Sequence, residues 1–217
     1  MAPRAVVFDM DGTLTDTESV WDEVRRGLAA QAGRPWTDEN TRAMMGMSTP
    51  EWSHYLVETV GLPMSPEEAA RETVQGMAEH YMRGVKLMPG AVEAVRRMAE
   101  RYPVAIVSSS PRLLIETAAD VLRIRDVLSA TVSTEEVSRG KPAPDGYLRA
   151  CEELDVLPGE AIAVEDAENG ILSALNAGMT VVSVPGEFHP PAQEVLDRTT
   201  VIKHLDELTT EFVEQLF

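Results

Sequence analysis

The residues able to do chemistry fall in four short runs. Asp9-Met10-Asp11-Gly12-Thr13 sets two carboxylates two positions apart, with Gly12 allowing a tight turn. Ser108-Ser109-Ser110 offers hydroxyls and backbone N–H groups just ahead of Pro111, where a helix is expected; a helix amino terminus rich in hydroxyls suits an anion. Gly140-Lys141-Pro142-Ala143-Pro144-Asp145 displays one lysine on a turn stiffened by two prolines. Val164-Glu165-Asp166-Ala167-Glu168-Asn169-Gly170 supplies hard carboxylate oxygens of the kind magnesium prefers. Each run also has a plain reading: a solvated Asp-Gly turn, an N-capping serine, a surface loop, acids placed for a helix dipole. Taken together they hold a nucleophile, an acid/base, anion ligands, a countercharge and metal ligands.

All four runs follow apolar stretches. Ala5 to Phe8, Val104 to Val107, Val127 to Val132, Ala161 to Val164 and Val181 to Val184 read as buried strands. Helical periodicity over Gly90 to Arg101, Pro111 to Leu122 and Asn169 to Ala177 separates them, with Gly178 as a helix-ending residue. The alternation predicts an α/β fold, a Rossmann-like parallel sheet with helices on both sides. Ligands of such sheets bind at the carboxyl ends of the strands, so the four runs would meet at one edge. Residues 17–86 carry no strand signal. They carry helix signals instead, notably the capping box Ser65-Pro66-Glu67-Glu68, with turns at Gly33-Arg34-Pro35 and Gly61-Leu62-Pro63. The expected organisation is an α/β catalytic core of 1–16 and 87–217 with an all-helical cap of 17–86 inserted after the first strand.

The formal net charge of −17 disfavours broad attraction to nucleic acid or an anionic membrane. A single cysteine, Cys151, excludes an intrachain disulfide. No apolar run is long enough to span a bilayer, and the amino-terminal one is too short for a signal peptide. The expectation is a cytoplasmic protein, a monomer with a homodimer as the alternative, acting on a small molecule.

The four runs in this order resemble the motifs of the haloacid dehalogenase superfamily, specifically its phosphatase and phosphomutase branch. Asp9 to Thr13 matches the first motif, Ser108 the second, Lys141 the third and Glu165-Asp166 the fourth, and the helical insertion looks like the family's small cap of the first type. The resemblance covers nearly the whole chain. It implies that Asp9 attacks phosphorus and Asp11 serves as acid and base. Ser108, Ser109 and Lys141 would hold the phosphoryl group. Mg2+ would sit on Asp9, Asp166 and the carbonyl of Asp11, with Glu165 nearby. Dehalogenases of the family lack the second aspartate, so Asp11 argues for a phosphatase.

The implied substrate is a small phosphorylated metabolite, a sugar or polyol phosphate. The alternatives are a mutase resembling β-phosphoglucomutase and a binding protein that has lost catalysis. The mutase carries a cap arginine where this chain has Thr49, within Met45-Gly46-Met47-Ser48-Thr49-Pro50, and a histidine where it has Trp21. Thr17, Trp21 and Gly46 are the candidate cap residues; Trp21 could stack on a sugar ring or pack the first cap helix.

Overall fold

A computed structural model of the chain describes residues 3–44, 47–186 and 190–217. The chain forms two compact units, Met1–Asp16 with Lys86–Phe217, and Thr17–Val85. Lys86, expected in the insertion, belongs to the first unit. Its ammonium lies 2.5 Å from Asp16 Oδ2, and its carbonyl accepts the Asp16 N–H at 2.9 Å.

The first unit is built on β1 (Ala5–Phe8), β2 (Val104–Ser108), β3 (Ala130–Ser133), β4 (Ala161–Glu165), β5 (Thr180–Ser183) and β6 (Thr200–Val201). All neighbours pair in parallel, in the order β3-β2-β1-β4-β5-β6. The central strands are buried on both faces, which accounts for their unbroken apolar runs. β3 starts later than the apolar run beginning at Val127, because Val127 closes a short 3-10 turn from Arg125. β6 has two residues at the sheet edge and no apolar run to announce it.

In the second unit, α1 (Glu18–Gln31), α2 (Asp38–Met44), α3 (Thr49–Glu58) and α4 (Pro66–Gly84) enclose Ala29, Met44, Trp52, Leu56 and Ala69. The first unit continues with α5 (Ala91–Ala99), α6 (Arg112–Val121), α7 (Asp145–Glu153), α8 (Glu168–Ala177), α9 (Gln193–Leu196) and α10 (Thr210–Glu214). Alternate strand residues Ala5, Val7, Ala105, Val107, Ala161 and Ala163 bury one sheet face under Tyr147 and Ala150 of α7 and Ile171 and Ala174 of α8. α5 packs on β2, and α6 on β3. Among the described residues, no helix is long and apolar enough to cross a membrane.

Ser65 begins α4 as its sequence requires. Its Oγ accepts the Glu68 N–H at 3.2 Å, and Glu68 Oε2 accepts the Ser65 N–H at 3.0 Å. Ser65→Ala should destabilise the helical unit by about 1 kcal/mol. The three tryptophans of the chain, Trp21, Trp36 and Trp52, all lie in this unit, so tryptophan fluorescence in urea reads it selectively. An unchanged midpoint would show that the cap contributes nothing.

Candidate active site

Strand register sets the site. Phe8 pairs with Ile106 on one side and Val164 on the other. The next step along each strand therefore brings Asp9 beside Val107 and Glu165. The Asp9 N–H continues the ladder to the Val164 carbonyl at 2.9 Å. A slip of one residue would turn the Asp9 side chain to the opposite face.

Lys141 reaches into this corner from the loop before α7. Its Nζ donates to Asp9 Oδ1 at 2.6 Å, to Glu165 Oε1 at 2.6 Å and to the Val107 carbonyl at 3.2 Å, which uses all three ammonium protons. The side chains of Lys141 and Glu165 are 8% and 1% exposed, so the ammonium is buried with its partners. Burial alone would lower the Lys141 pKa, but Asp9 and Glu165 outweigh it and hold the amine above the usual lysine range.

Glu165 is saturated by hydrogen bonds. Besides Lys141, the Tyr147 hydroxyl donates to its Oε1 at 2.8 Å, and the Asp166 N–H donates to its Oε2 at 3.2 Å. Burial, then the Glu165 charge, push the Tyr147 phenol well above its usual value and keep it a donor. Gly170 leaves room for this carboxylate: a Cβ there would stand 1.8 Å from Glu165 Oε1. Gly12 does the same for Asp166. Its φ of +93° is left-handed, and a Cβ would fall 2.2 Å from Asp166 Oδ2.

Asp9, Glu165 and Asp166 each bring a carboxylate oxygen within 4.8 Å of the others. One ammonium cannot balance three carboxylates. Burial, and then Glu165, raise the Asp9 pKa well above the carboxylate range and raise that of Asp166 to about 7. Thr13 Oγ1 donates to Asp166 Oδ1 at 3.0 Å. Hard oxygen donors in this number could hold a divalent cation.

The Asp11 carboxylate stands outside that trio. Its Oδ2 accepts Ser110 Oγ at 2.7 Å and Ser108 Oγ at 3.2 Å, and Ser108 Oγ accepts the Ser110 N–H at 3.0 Å. Ser109 is exposed between them. The sequence reading singled out Ser108 and Ser109. Ser110 joins Ser108 on Asp11, because alternate residues leaving β2 turn the same way. Thr13 was legible as part of the first motif. Tyr147 carried no signal beyond an apolar helix stripe.

In the helical unit, Thr17 is buried and its carbonyl receives the N–H groups of Val20 and Trp21. Trp21 packs partly buried against the helical core, its ring centroid 6.1 Å from that of Trp52. Met44 is interior. Gly46 and Met45 lie outside the described residues. An open groove lined by Arg112, Glu136, Asp145, Arg149, Glu152 and Glu153 shares none of the site residues. Arg112 pairs with Glu136 and Arg149 with Glu153, so the groove's own acids consume these cations.

Carboxylates, serines and a buried lysine gathered at the carboxyl ends of a parallel sheet define a Rossmann-like α/β enzyme. A profile of the haloacid dehalogenase-like hydrolases matches residues 3–178, and the chain belongs to that family. It is 36% identical over 186 residues to a Drosophila melanogaster protein named probable pseudouridine-5'-phosphatase, covering 82% of this chain and 80% of the other. It is 29% identical over 179 residues to fructose-1-phosphate phosphatase YqaB of Escherichia coli, covering 82% and 95%. A solved β-phosphoglucomutase from Clostridium difficile shares the fold, with a TM-score of 0.80 at 22% identity over 99% of this chain and 96% of that one.

The crowded carboxylates predict a pH signature in the metal-free protein. Asp166 titrates near 7 when folded and near the ordinary aspartate value of about 4 when unfolded. A raised folded pKa means the native state holds the extra proton, so its contribution to stability is present below about pH 4 and lost as pH rises to about 7. Asp166→Asn should match wild type at pH 4 and exceed its melting temperature increasingly up to pH 7. Parallel melting curves for the two proteins across this range would show that Asp166 is not under charge strain.

Proposed function

We propose that this chain is a magnesium-dependent phosphatase of a small sugar or polyol phosphate, working through an aspartyl-phosphate on Asp9. The observation that carries the reading is the separation of two aspartates into different environments. Asp9 is fixed by a buried ammonium, and Asp11 is held apart by two serine hydroxyls. The activities named for the two relatives support a phosphate monoester as substrate, one of them a sugar phosphate.

In the first step an Asp9 carboxylate oxygen bonds to phosphorus while the phosphorus–oxygen bond to the leaving group breaks. The leaving oxygen takes a proton from Asp11. In the second step Asp11 removes a proton from water, which attacks the same phosphorus and releases inorganic phosphate and free Asp9. Lys141 fixes the direction of the Asp9 carboxylate. Ser108, Ser109 and the backbone N–H groups at the start of α6 are suited to the phosphoryl oxygens. Asp9, Asp166 and the Asp11 carbonyl would hold magnesium. The saturation of Glu165 by Lys141, Tyr147 and a backbone N–H favours a supporting role for that residue over direct ligation. When bound, the ion supplies the positive charge that an anionic ester needs beside so many carboxylates. The single cysteine, buried, suits a cytoplasmic setting.

Asp9→Asn should abolish turnover of a chromogenic aryl phosphate in a folded protein. Chelation should do the same to wild type, with magnesium restoring activity. Lys141→Ala should cost at least a hundredfold in turnover, whereas Lys86→Ala, at a lysine side chain 79% exposed, should cost less than threefold. Equal, mild losses would reduce Lys141 to a structural cation.

Hydrolysis is favoured over phosphate transfer within the substrate. Thr49 offers a neutral donor where a transferase would grip a second phosphate, and Arg42, close in sequence, is exposed at the end of α2. With β-glucose 1-phosphate and a trace of glucose 1,6-bisphosphate, inorganic phosphate should accumulate without isomerised product. Glucose 6-phosphate forming faster than phosphate is released would restore the mutase reading.

A further inference from the structure

Arg25 of α1 has no carboxylate partner among the described residues, yet it is half-buried. Trp21 lies one helical turn before it on the same face, and Trp52 comes across from α3. The guanidinium carbon stands 4.9 Å from the Trp21 ring centroid and 4.8 Å from that of Trp52. Asp22, three residues before it on α1, is already committed. Its carboxylate accepts from Arg26 at 2.9 Å, from Trp36 Nε1 at 3.2 Å and from the Thr41 hydroxyl. Arg25 Nε is sealed from solvent with no hydrogen-bond partner, the only such side-chain atom among the described residues. Burial pushes the Arg25 pKa down to about 10, and Asp22 offsets this only in part.

A guanidinium over indole rings gains cation–π attraction, but its N–H groups still need acceptors. Packing alone would be better served by an apolar side chain, which leaves no donor unsatisfied. A guanidinium resting in the angle of the tilted Trp21–Trp52 pair has part of its ordering cost met in the free protein, which favours a bidentate oxyanion.

We propose that Arg25, resting in the angle of the tilted Trp21 and Trp52 rings, is an anion-binding site of the helical unit that takes a carboxylate or phosphate group of an organic ligand. This goes beyond the phosphatase reading and does not need it, because binding is measured without turnover. Any anion held by the core would bind equally well after substitution of Arg25, so the Arg25 variants separate the two sites. All three tryptophans lie in the helical unit, so intrinsic fluorescence reports that unit.

The full chain is titrated in chelator with sodium malonate and, separately, with sodium phosphate, against sodium chloride at equal ionic strength. A saturable fluorescence change is expected with at least one probe and none with chloride. The probe that binds identifies the group as carboxylate or phosphate. Arg25→Met, which keeps an unbranched side chain against the rings, should weaken that response at least tenfold. Arg25→Lys, which keeps charge and loses the fork, should weaken it at least threefold. The Arg25 Nε–H cross-peak of wild type, sealed from solvent and slow to exchange, should move with the same midpoint and decides the matter if a variant fails to fold. No saturable response in wild type, or an undiminished one in folded Arg25→Met, would overturn the proposal.

Discussion

The ammonium of Lys141, buried between Asp9 and Glu165, is the contact on which the rest of the site depends. It ties the end of β1 to the end of β4 through a loop that belongs to neither strand. Loss of the lysine would leave Asp9, Glu165 and Asp166 facing one another in a site nearly closed to water, and an uncompensated buried charge costs several kcal/mol. The fold therefore cannot treat this lysine as a catalytic accessory added to a finished sheet. The same hydrogen bonds that aim the Asp9 carboxylate make the corner of the sheet tolerable.

Space is the second constraint. The Glu165 carboxylate occupies the volume in which a side chain at residue 170 would begin, and Asp166 lies against the Cα of residue 12. Glycine at both positions lets carboxylates lie directly on backbone, where N–H groups and neighbouring hydroxyls can reach them. Tyr147 then closes the far side of Glu165 from α7, an element otherwise devoted to packing. The core and the site thus share residues, and a change made to improve one would act on the other.

Much of this was legible in the sequence because parallel strands carry simple signals. A buried strand is a short β-branched run, and the residues after it must stand at the ligand edge, so Asp9, Ser108 and Asp166 could be placed from position alone. Lys141 was legible as a cation on a stiff loop. What could not be read depended on register and on contacts between distant elements. Ser110 rather than Ser109 meets Asp11 because of how the chain leaves β2. Tyr147 looks like any aromatic on a helical stripe until the Glu165 oxygen is found beneath its hydroxyl. In the insertion, a search for a cation confined to residues near Thr49 passes over Arg25, because only the packing of α1 against α3 brings it to Trp52.

A chain of net charge −17 that binds an anionic ester faces repulsion from its own field. Long-range field and local site are separable here, since screening confines surface charges to about 10 Å at moderate salt, whereas buried groups are screened much less. Around Asp9 the local charge is itself negative, with one ammonium against three carboxylates. On the proposed function, the cation and the ester then cannot bind independently. Each is held better when the other is present, because the cation offsets the carboxylate repulsion that the ester would face alone and the ester brings further negative charge to the cation. The raised pKa values of Asp9 and Asp166 express the same deficit of positive charge, met by protons when no cation is there. Proton and metal are thus alternative answers to one electrostatic demand, an anionic ester adds to that demand, and its source is the way β1 and β4 end side by side.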